Sequence, residues 1–429
     1  MTIRKFRNSN IILLTISLTT ALVLGEIGYR YLLFSDIAFF DFLKNPGELA
    51  PNYDEEHRQF YGEDYWKLNF LFHQEFTVGK PHPLLGWIGR FDRKSLSHHQ
   101  TSEMGDRRPV LLYGDSYAMC VDSVQCFEDI LNGDSLFSKN HFLLNYGVGG
   151  YGLDQITLLC SATVDQYENP LVILSLLTTD LDRCMLKVRD GQKPYYTLEE
   201  NHLKLSGVPI VRNSNSYFER HPPEISSYLY ARFRNAILYR LFPDQQPKAE
   251  HIEKIQALSR KILENTFAQL KSKNLDFVVL IFQPEHHANP GWRLEFIIEM
   301  CLKHEVPFAT DLELRSADSR FKEYQPAHYA IPGNGHPTSH ANQLVAEEIQ
   351  KIALLPEYKD SLLQNNPDWK SQIFTKDQAF YEKQMLGSEK WMKTLNVKAK
   401  NKGVALEKVM AEDAQYLVRL DSEKYEWKK

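Results

Sequence analysis

The sequence predicts an α/β protein: a three-layer α/β/α sandwich around a central parallel sheet of about five strands. Three observations carry this. Short apolar runs recur along the middle of the chain and end in glycine or polar residues. Each run is apolar on both faces, as strands covered by helices on either side must be. Helical patterns separate the runs, and strand–helix alternation implies a parallel sheet.

The elements follow in order. "MTIRKFRNSN" holds Arg4, Lys5 and Arg7 and no acid, and "IILLTISLTTALVLG" then runs uncharged from Ile11 to Gly25. Continued through Phe34, the stretch is long enough for a span of about 20 residues. A basic start before an apolar run is an export signal. No small-x-small cleavage site stands out in "ALVLGEIGY", so residues 1–35 read as an uncleaved signal anchor. The positive-inside rule keeps its start in the cytoplasm and places the body outside, in the periplasm or beyond. Residues 36–105 are aromatic-rich and irregular, and "KPHPLLGWIGRFD" reads as an extended segment wrapping the domain that follows.

The α/β domain covers residues 106–355. Its strands are "RPVLLYG", "HFLLNYG", "NPLVILSLL", "LDFVVLIFQP" and "VPFATDL". In the last helix, "SHANQLVAEEIQKIALL", Ala341, Leu344, Val345, Ile349 and Ile352 share one face. An insertion at about 186–250 holds a hairpin turning at "EENH" and an amphipathic helix, "ISSYLYARFRNAILYRLF". Leu229, Phe233, Ile237 and Leu241 share that helix's face, which suits a cap over the site or packing over the sheet better than a membrane surface. Residues 356–429 form a charged helical extension, with Leu406, Val409, Met410, Ala414 and Leu417 in helical register.

The chain has 429 residues and a net charge of −5, which gives no basic footprint for nucleic acid. Of the five cysteines, Cys120 and Cys126 either bridge in an oxidising compartment or are buried thiols, as Cys160, Cys184 and Cys301 are expected to be. No pair has zinc-ribbon or thioredoxin spacing.

Three stretches stand where chemistry is expected, at strand carboxyl ends or helix starts: "YGDSY" (113–117), "NYGVGGYGLDQ" (145–155) and "GNGHPTSHANQLVA" (333–346). A serine hydroxyl needs a neighbouring base to become a nucleophile, and histidine is the usual base. A developing oxyanion needs fixed donors, commonly amides in glycine-rich turns. Singly, Ser116 also suits a helix N-cap, and His336 an ordinary residue before Pro337. "PEHHANP" (284–290), with Glu285, His286 and His287, reads as a polar loop at the cleft rim. "NYGVGGYG" lacks the companions of a phosphate-binding loop.

Together these stretches resemble the SGNH, or GDSL-type, hydrolase superfamily over roughly residues 80–355, and "NYGVGGYGLDQ" and "GQKPYYTLEENHLKL" resemble its membrane-anchored, extracytoplasmic members. Gly114-Asp115-Ser116 match the first block, Asn145 and Gly150 the second, and His336-Pro337 the last, which usually opens the final helix. The resemblance implies a flavodoxin-like fold, Ser116 as nucleophile and His336 as base and then acid. It implies an oxyanion hole from Ser116, Gly150 and Thr179, with Asp115, Asn145 and Asp180 structural near the site. It requires no metal or cofactor. Two positions depart from the pattern. Thr179 stands where an oxyanion-donating Asn is usual, and a lost donor of that kind costs about 2.7–4 kcal/mol. Asn334 stands where an Asp usually orients the histidine; it can hold the imidazole N–H but supplies no charge.

The resemblance further implies a serine esterase acting through an acyl-enzyme on O-acyl, above all O-acetyl, groups of a carbohydrate or surface glycoconjugate. One alternative is an acyltransferase using the same residues, with a membrane partner supplying the acyl group. Another is a non-catalytic carbohydrate-binding or assembly protein on a degenerate scaffold.

Overall fold

The computed structural model describes residues 2–50, 62–73, 80–121, 123–211, 214–238, 241, 249–284, 291–321, 325–364, 381–382 and 385–425. Two compact units divide the chain, Met1–Asn365 and Asn366–Lys429.

The first unit is built on five parallel strands: β1 (Arg108–Gly114), β2 (His141–Gly147), β3 (Leu171–Leu177), β4 (Asp276–Phe282) and β5 (Phe308–Thr310). Their spatial order is β2-β1-β3-β4-β5, the flavodoxin-like order, whose switch point lies between β1 and β3. Val110 of β1 sits opposite Leu143 on one side and Leu171 on the other. Every residue of β3 is buried, which is why its run is apolar without alternation.

Alternate residues of β1 serve the two faces. Val110 and Leu112 join Phe127, Leu131, Val345 and Ile349 in one core. On the other face the Tyr113 hydroxyl meets Thr163 Oγ1 at 2.8 Å, at the end of helix Leu153–Thr163. All five apolar residues expected to line helix Ser339–Leu354 are buried.

The N-terminal helix runs from Thr2 to Leu33. Within it, Ile11–Leu33 is long and apolar enough to cross a membrane, at a mean hydropathy of 2.0. The extension after it is more regular than its sequence suggests. It holds a 3-10 turn (Ala38–Leu43), a helix (Glu63–His73) and a small hairpin, Lys80–His82 with Gly86–Ile88. That hairpin braces the glycine-rich turn after β2: Trp87 Nε1 donates to the Gly149 carbonyl at 2.9 Å, and Gln155 Nε2 donates to the Leu85 carbonyl at 2.8 Å.

Within the insertion the hairpin forms as expected, Tyr195–Glu199 pairing with His202–Ser206. Glu200 and Asn201 both have positive φ, 49° and 67°, as a two-residue turn of this twist requires. The amphipathic stretch corrects the sequence reading. It is a short helix, Tyr228–Phe233, continued by a π-helical turn, Arg234–Leu238. It docks on the N-terminal helix, not over the sheet or the site. Glu26 accepts hydrogen bonds from Ser227 Oγ and from the Tyr228 and Leu229 amides at 2.9–3.0 Å. The first amides of a helix lack partners within it, and a carboxylate there also meets the positive end of the helix dipole. Phe233, Ile237 and Leu241, expected on a packed face, are exposed.

In the second unit, helices Glu389–Lys402 and Leu406–Tyr425 enclose a small core of Leu395, Ala399, Val409, Met410 and Ala414.

Candidate active site

β1 ends at Gly114, where any Cβ would lie 2.6 Å from that of Ala118 and 2.9 Å from the Ser175 carbonyl oxygen. Only glycine lets the chain turn so tightly. Asp115 then caps the short helix Ser116–Met119, its Oδ1 accepting from the Tyr117 amide at 2.8 Å. Ser116 is thus the first helical residue and Asp115 is the cap. The bridge Cys120–Cys126 fastens the far end of this helix; Cys160, Cys184 and Cys301 are free and buried.

His336 reaches Ser116 across 220 residues. Ser116 Oγ–H donates to His336 Nε2 at 3.0 Å. On the other side of the ring, Nδ1–H donates to Asn334 Oδ1. An amide oxygen can only accept, so this contact leaves Nε2 as the basic nitrogen. The Tyr117 hydroxyl donates to the Gly335 carbonyl at 2.8 Å, tying the histidine loop to the serine helix. One expectation needs correcting: His336 and Pro337 do not open the final helix. That helix starts at Ser339, capped by Thr338, whose Oγ1 accepts from the Ala341 amide at 3.2 Å. His336 sits in the preceding turn because that turn, closed by the Ile331 amide donating to the His336 carbonyl, aims the ring back at β1. His340 is occupied elsewhere, 2.6 Å from Asp318 Oδ2.

The other candidate residues gather at the same strand ends. Gly150 follows β2 with φ +81°, and a Cβ there would collide with Arg189 and Asp190. Thr179 follows β3, is buried, and makes no side-chain cap bond to the helix it precedes. Among the described residues, the Ser116 and Gly150 amides and the Thr179 hydroxyl have no hydrogen-bond acceptor. Three donors therefore stand uncommitted around the serine's strand ends. Asn145 is fully engaged: Nδ2 donates to the Ala118 carbonyl at 2.8 Å and to Glu128, and Oδ1 accepts from the Gly147 amide at 2.9 Å. It holds the serine helix against β2.

Sequence reasoning missed Arg183. Its Nη1 lies 2.8 Å from Asp115 Oδ2, 2.6 Å from Asp180 Oδ1 and 2.7 Å from the Tyr151 carbonyl. Asp180 also accepts from the Leu177 amide. One guanidinium thereby links the turns after β1, β2 and β3. Burial pushes the Asp180 carboxyl up, Asp115 adds to this, and Arg183 opposes it. The only sequence signal was the i, i+3 spacing of Asp180 and Arg183.

Beside Thr179 lies a cavity of about 270 Å³, lined also by Tyr65, Trp66, Arg183 and Arg189. Arg189 stands over the Trp66 ring at 5.1 Å. The buried Trp66 Nε1–H has no acceptor among the described residues. The loop 285–290, with Glu285, His286 and His287, lies outside the described residues.

Burial holds the His336 imidazolium below the ordinary histidine value of 6.5, with Asp115 pulling the other way. Only a neutral ring can accept a proton from the serine, so a lowered pKa would keep it competent as a base to lower pH. The acid limb of kcat/KM, which reports the free enzyme, is expected to have its midpoint below 6.5. Asn334→Asp places a carboxylate on Nδ1–H and should move that midpoint up by about one unit or more. A pH profile of p-nitrophenyl acetate hydrolysis by both proteins checks this; coincident acid limbs refute it.

No family model matches the chain, and no curated protein does. Solved structures do. An α/β hydrolase from the metagenome of Lake Arreo, Spain, is 12% identical with a TM-score of 0.30, over 60% of this chain and 96% of that one. A lipolytic protein of the G-D-S-L family from Veillonella parvula is 13% identical with a TM-score of 0.31, over 58% and 98%. A catalytic mutant of an acetylxylan esterase from Geobacillus stearothermophilus is 11% identical with a TM-score of 0.30, over 58% and 94%. The chain is similar to these hydrolases, and its Gly-Asp-Ser block stands at the carboxyl end of β1 in a flavodoxin-like sheet.

Proposed function

We propose that this chain is a membrane-anchored serine esterase that removes O-acyl groups, above all O-acetyl groups, from a carbohydrate or surface glycoconjugate. One observation carries the reading: Ser116 Oγ–H donates to His336 Nε2 while Asn334 holds the opposite ring nitrogen. That is a nucleophile, a base and an orienting group in series.

Ser116 Oγ attacks the ester carbonyl and its proton passes to His336 Nε2. The carbonyl oxygen becomes negative and is met by the Ser116 and Gly150 amides, with the Thr179 hydroxyl as a third donor. Collapse expels the alcohol, which takes the proton back from His336 and leaves the acyl group on Ser116. Water, deprotonated by the same histidine, then attacks the acyl-enzyme and frees the acid. Asn334 carries no charge, so it orients the imidazolium formed at each step without stabilising it electrostatically; among the nearby charges Asp115 favours the cation and Arg183 opposes it. The carbohydrate part of the reading is supported by the cavity beside Thr179. Trp66 and Tyr65 offer apolar ring surface there, and Arg183 and Arg189 line the same cavity with guanidinium donors suited to hydroxyls.

The test is acetate release. The full chain in detergent micelles, given an O-acetylated xylo-oligosaccharide, should liberate free acetate with a kcat in the ordinary enzyme range of about 1–10³ s⁻¹, or at its lower edge. Acetate appearing only on an added acceptor sugar would make the chain a transferase. No acyl cleavage of this substrate or of p-nitrophenyl acetate would refute an enzymatic reading.

A further inference from the structure

The N-terminal helix has two faces beyond Gly25. Glu26, Arg30 and Leu33 face the body: Glu26 caps the helix Tyr228–Phe233, Arg30 pairs with Glu26 and donates to the Ser226 carbonyl at 2.7 Å, and Leu33 is fully buried. Ile27 and Tyr31, one turn apart and off that contact, are exposed. The uncharged run Ile11–Gly25 rises only about 22 Å, short of the roughly 30 Å of a bilayer's hydrocarbon core. The full 23-residue stretch to Leu33 rises about 35 Å and suffices. A helix that spans must therefore use its second half, whose far face is clamped to the protein. The bilayer surface then meets the body, not the helix alone.

At that level the body is apolar and bare. Phe39 is 78% and Phe42 67% exposed, on the 3-10 turn after the helix. Tyr230, Phe233 and Ile237 are exposed on the docked segment. These two segments are joined: Arg232 pairs with Glu48 at 2.6 Å and donates to the Leu43 carbonyl at 3.4 Å. Phe34 packs edge-on against Tyr228 at 5.4 Å. Aromatic rings beside arginines are the side chains that settle at a headgroup boundary.

We propose that residues 34–42 and 228–238 form a foot that dips into the interfacial layer of a phospholipid bilayer, the one the N-terminal helix spans. The proposal rests on that helix being a span. Its occupant is lipid, because the clamp at Glu26 leaves the foot continuous with the lipid-facing side of the helix. The foot also sets where the chemistry happens. Tyr65 packs against the cluster of Leu33, Leu49, Leu68 and Tyr228 and lines the cavity beside Thr179. The proposed ester site thus lies one helix away from the membrane surface.

The test places single nitroxide labels through Phe39→Cys, Phe42→Cys and Ile237→Cys in the full chain, reconstituted into phosphatidylcholine–phosphatidylglycerol vesicles. Collision with oxygen, which concentrates in lipid, is compared with collision with a water-soluble nickel chelate. Leu18→Cys reports the span, and Leu136→Cys, exposed on the sheet domain, reports water. Oxygen dominance at 39, 42 and 237, as at 18, is the expected result. Water-like behaviour there with a lipid-like Leu18 label overturns the foot alone. Shielding from both reagents also overturns it and points to a protein partner. A water-like Leu18 label overturns the span, and the foot with it.

Discussion

Ser116→Ala should lower p-nitrophenyl acetate hydrolysis by the full chain on the order of 10⁴- to 10⁶-fold. The substitution removes the hydroxyl that faces His336 and little else. Asp115 still caps the Tyr117 amide, so the helix Ser116–Met119 keeps its start. The melting temperature should stay within about 2 °C, as expected for a stability change under ~0.5 kcal/mol. His336→Ala should cost nearly as much, and the double variant no more than either, because serine and histidine act as one unit. His340→Ala should retain turnover, since His340 is paired with Asp318 and not with Ser116. Equal rates for wild type and Ser116→Ala would end the nucleophile assignment.

Arg183→Met should be the most destabilising single change at the site. Asp115 and Asp180 have almost no side-chain exposure, 0% and 1%, and Arg183 is their shared cation. Removing one partner of a buried ion pair costs about 3–5 kcal/mol because the remaining charge is stranded. For a domain of this size that is a fall of roughly 6 °C or more in melting temperature. The effect has a sign in pH. Without Arg183 nothing opposes the burial that pushes the Asp180 carboxyl up, so the variant is least penalised where that carboxyl is protonated in both folded and unfolded states. Its deficit should grow as pH rises from about 4 and level off above the raised value. Melts of both proteins from pH 4 to 8 measure this, and a constant difference would show that Arg183 contributes packing alone.

The strands were legible because each apolar run is covered on both faces, and the starts Arg108 and His141 could be read directly. The candidate site was legible in part for the same reason: a residue just past such a run must lie at the sheet's rim. Ser116, Gly150 and Thr179 follow β1, β2 and β3 in that way. Arg183 was hidden because its partner Asp115 is 68 residues away and no local pattern joins them. Nothing in the apolar stretch around Glu26 shows that its carboxylate receives the first amides of a helix some two hundred residues later. The apolar face of 228–238 was visible as a stripe, but a stripe does not name what covers it. That is why a cap over the site or packing over the sheet was expected where a helix docked on the N-terminal helix was found. The resemblance placed His336-Pro337 at the start of the final helix, whereas Thr338 supplies that helix's cap.

The bridge between Cys120 and Cys126 closes the loop that leaves the serine helix, a constraint of about 2 kcal/mol for a ring this small. In a reducing cytosol both thiols stay open. If the body is exported as proposed, a newly made chain carries Ser116 on a segment without this closure until it meets an oxidant across the membrane. Under that reading, completion of the turn after β1 would be coupled to delivery: assembly on one side of the bilayer, closure on the other.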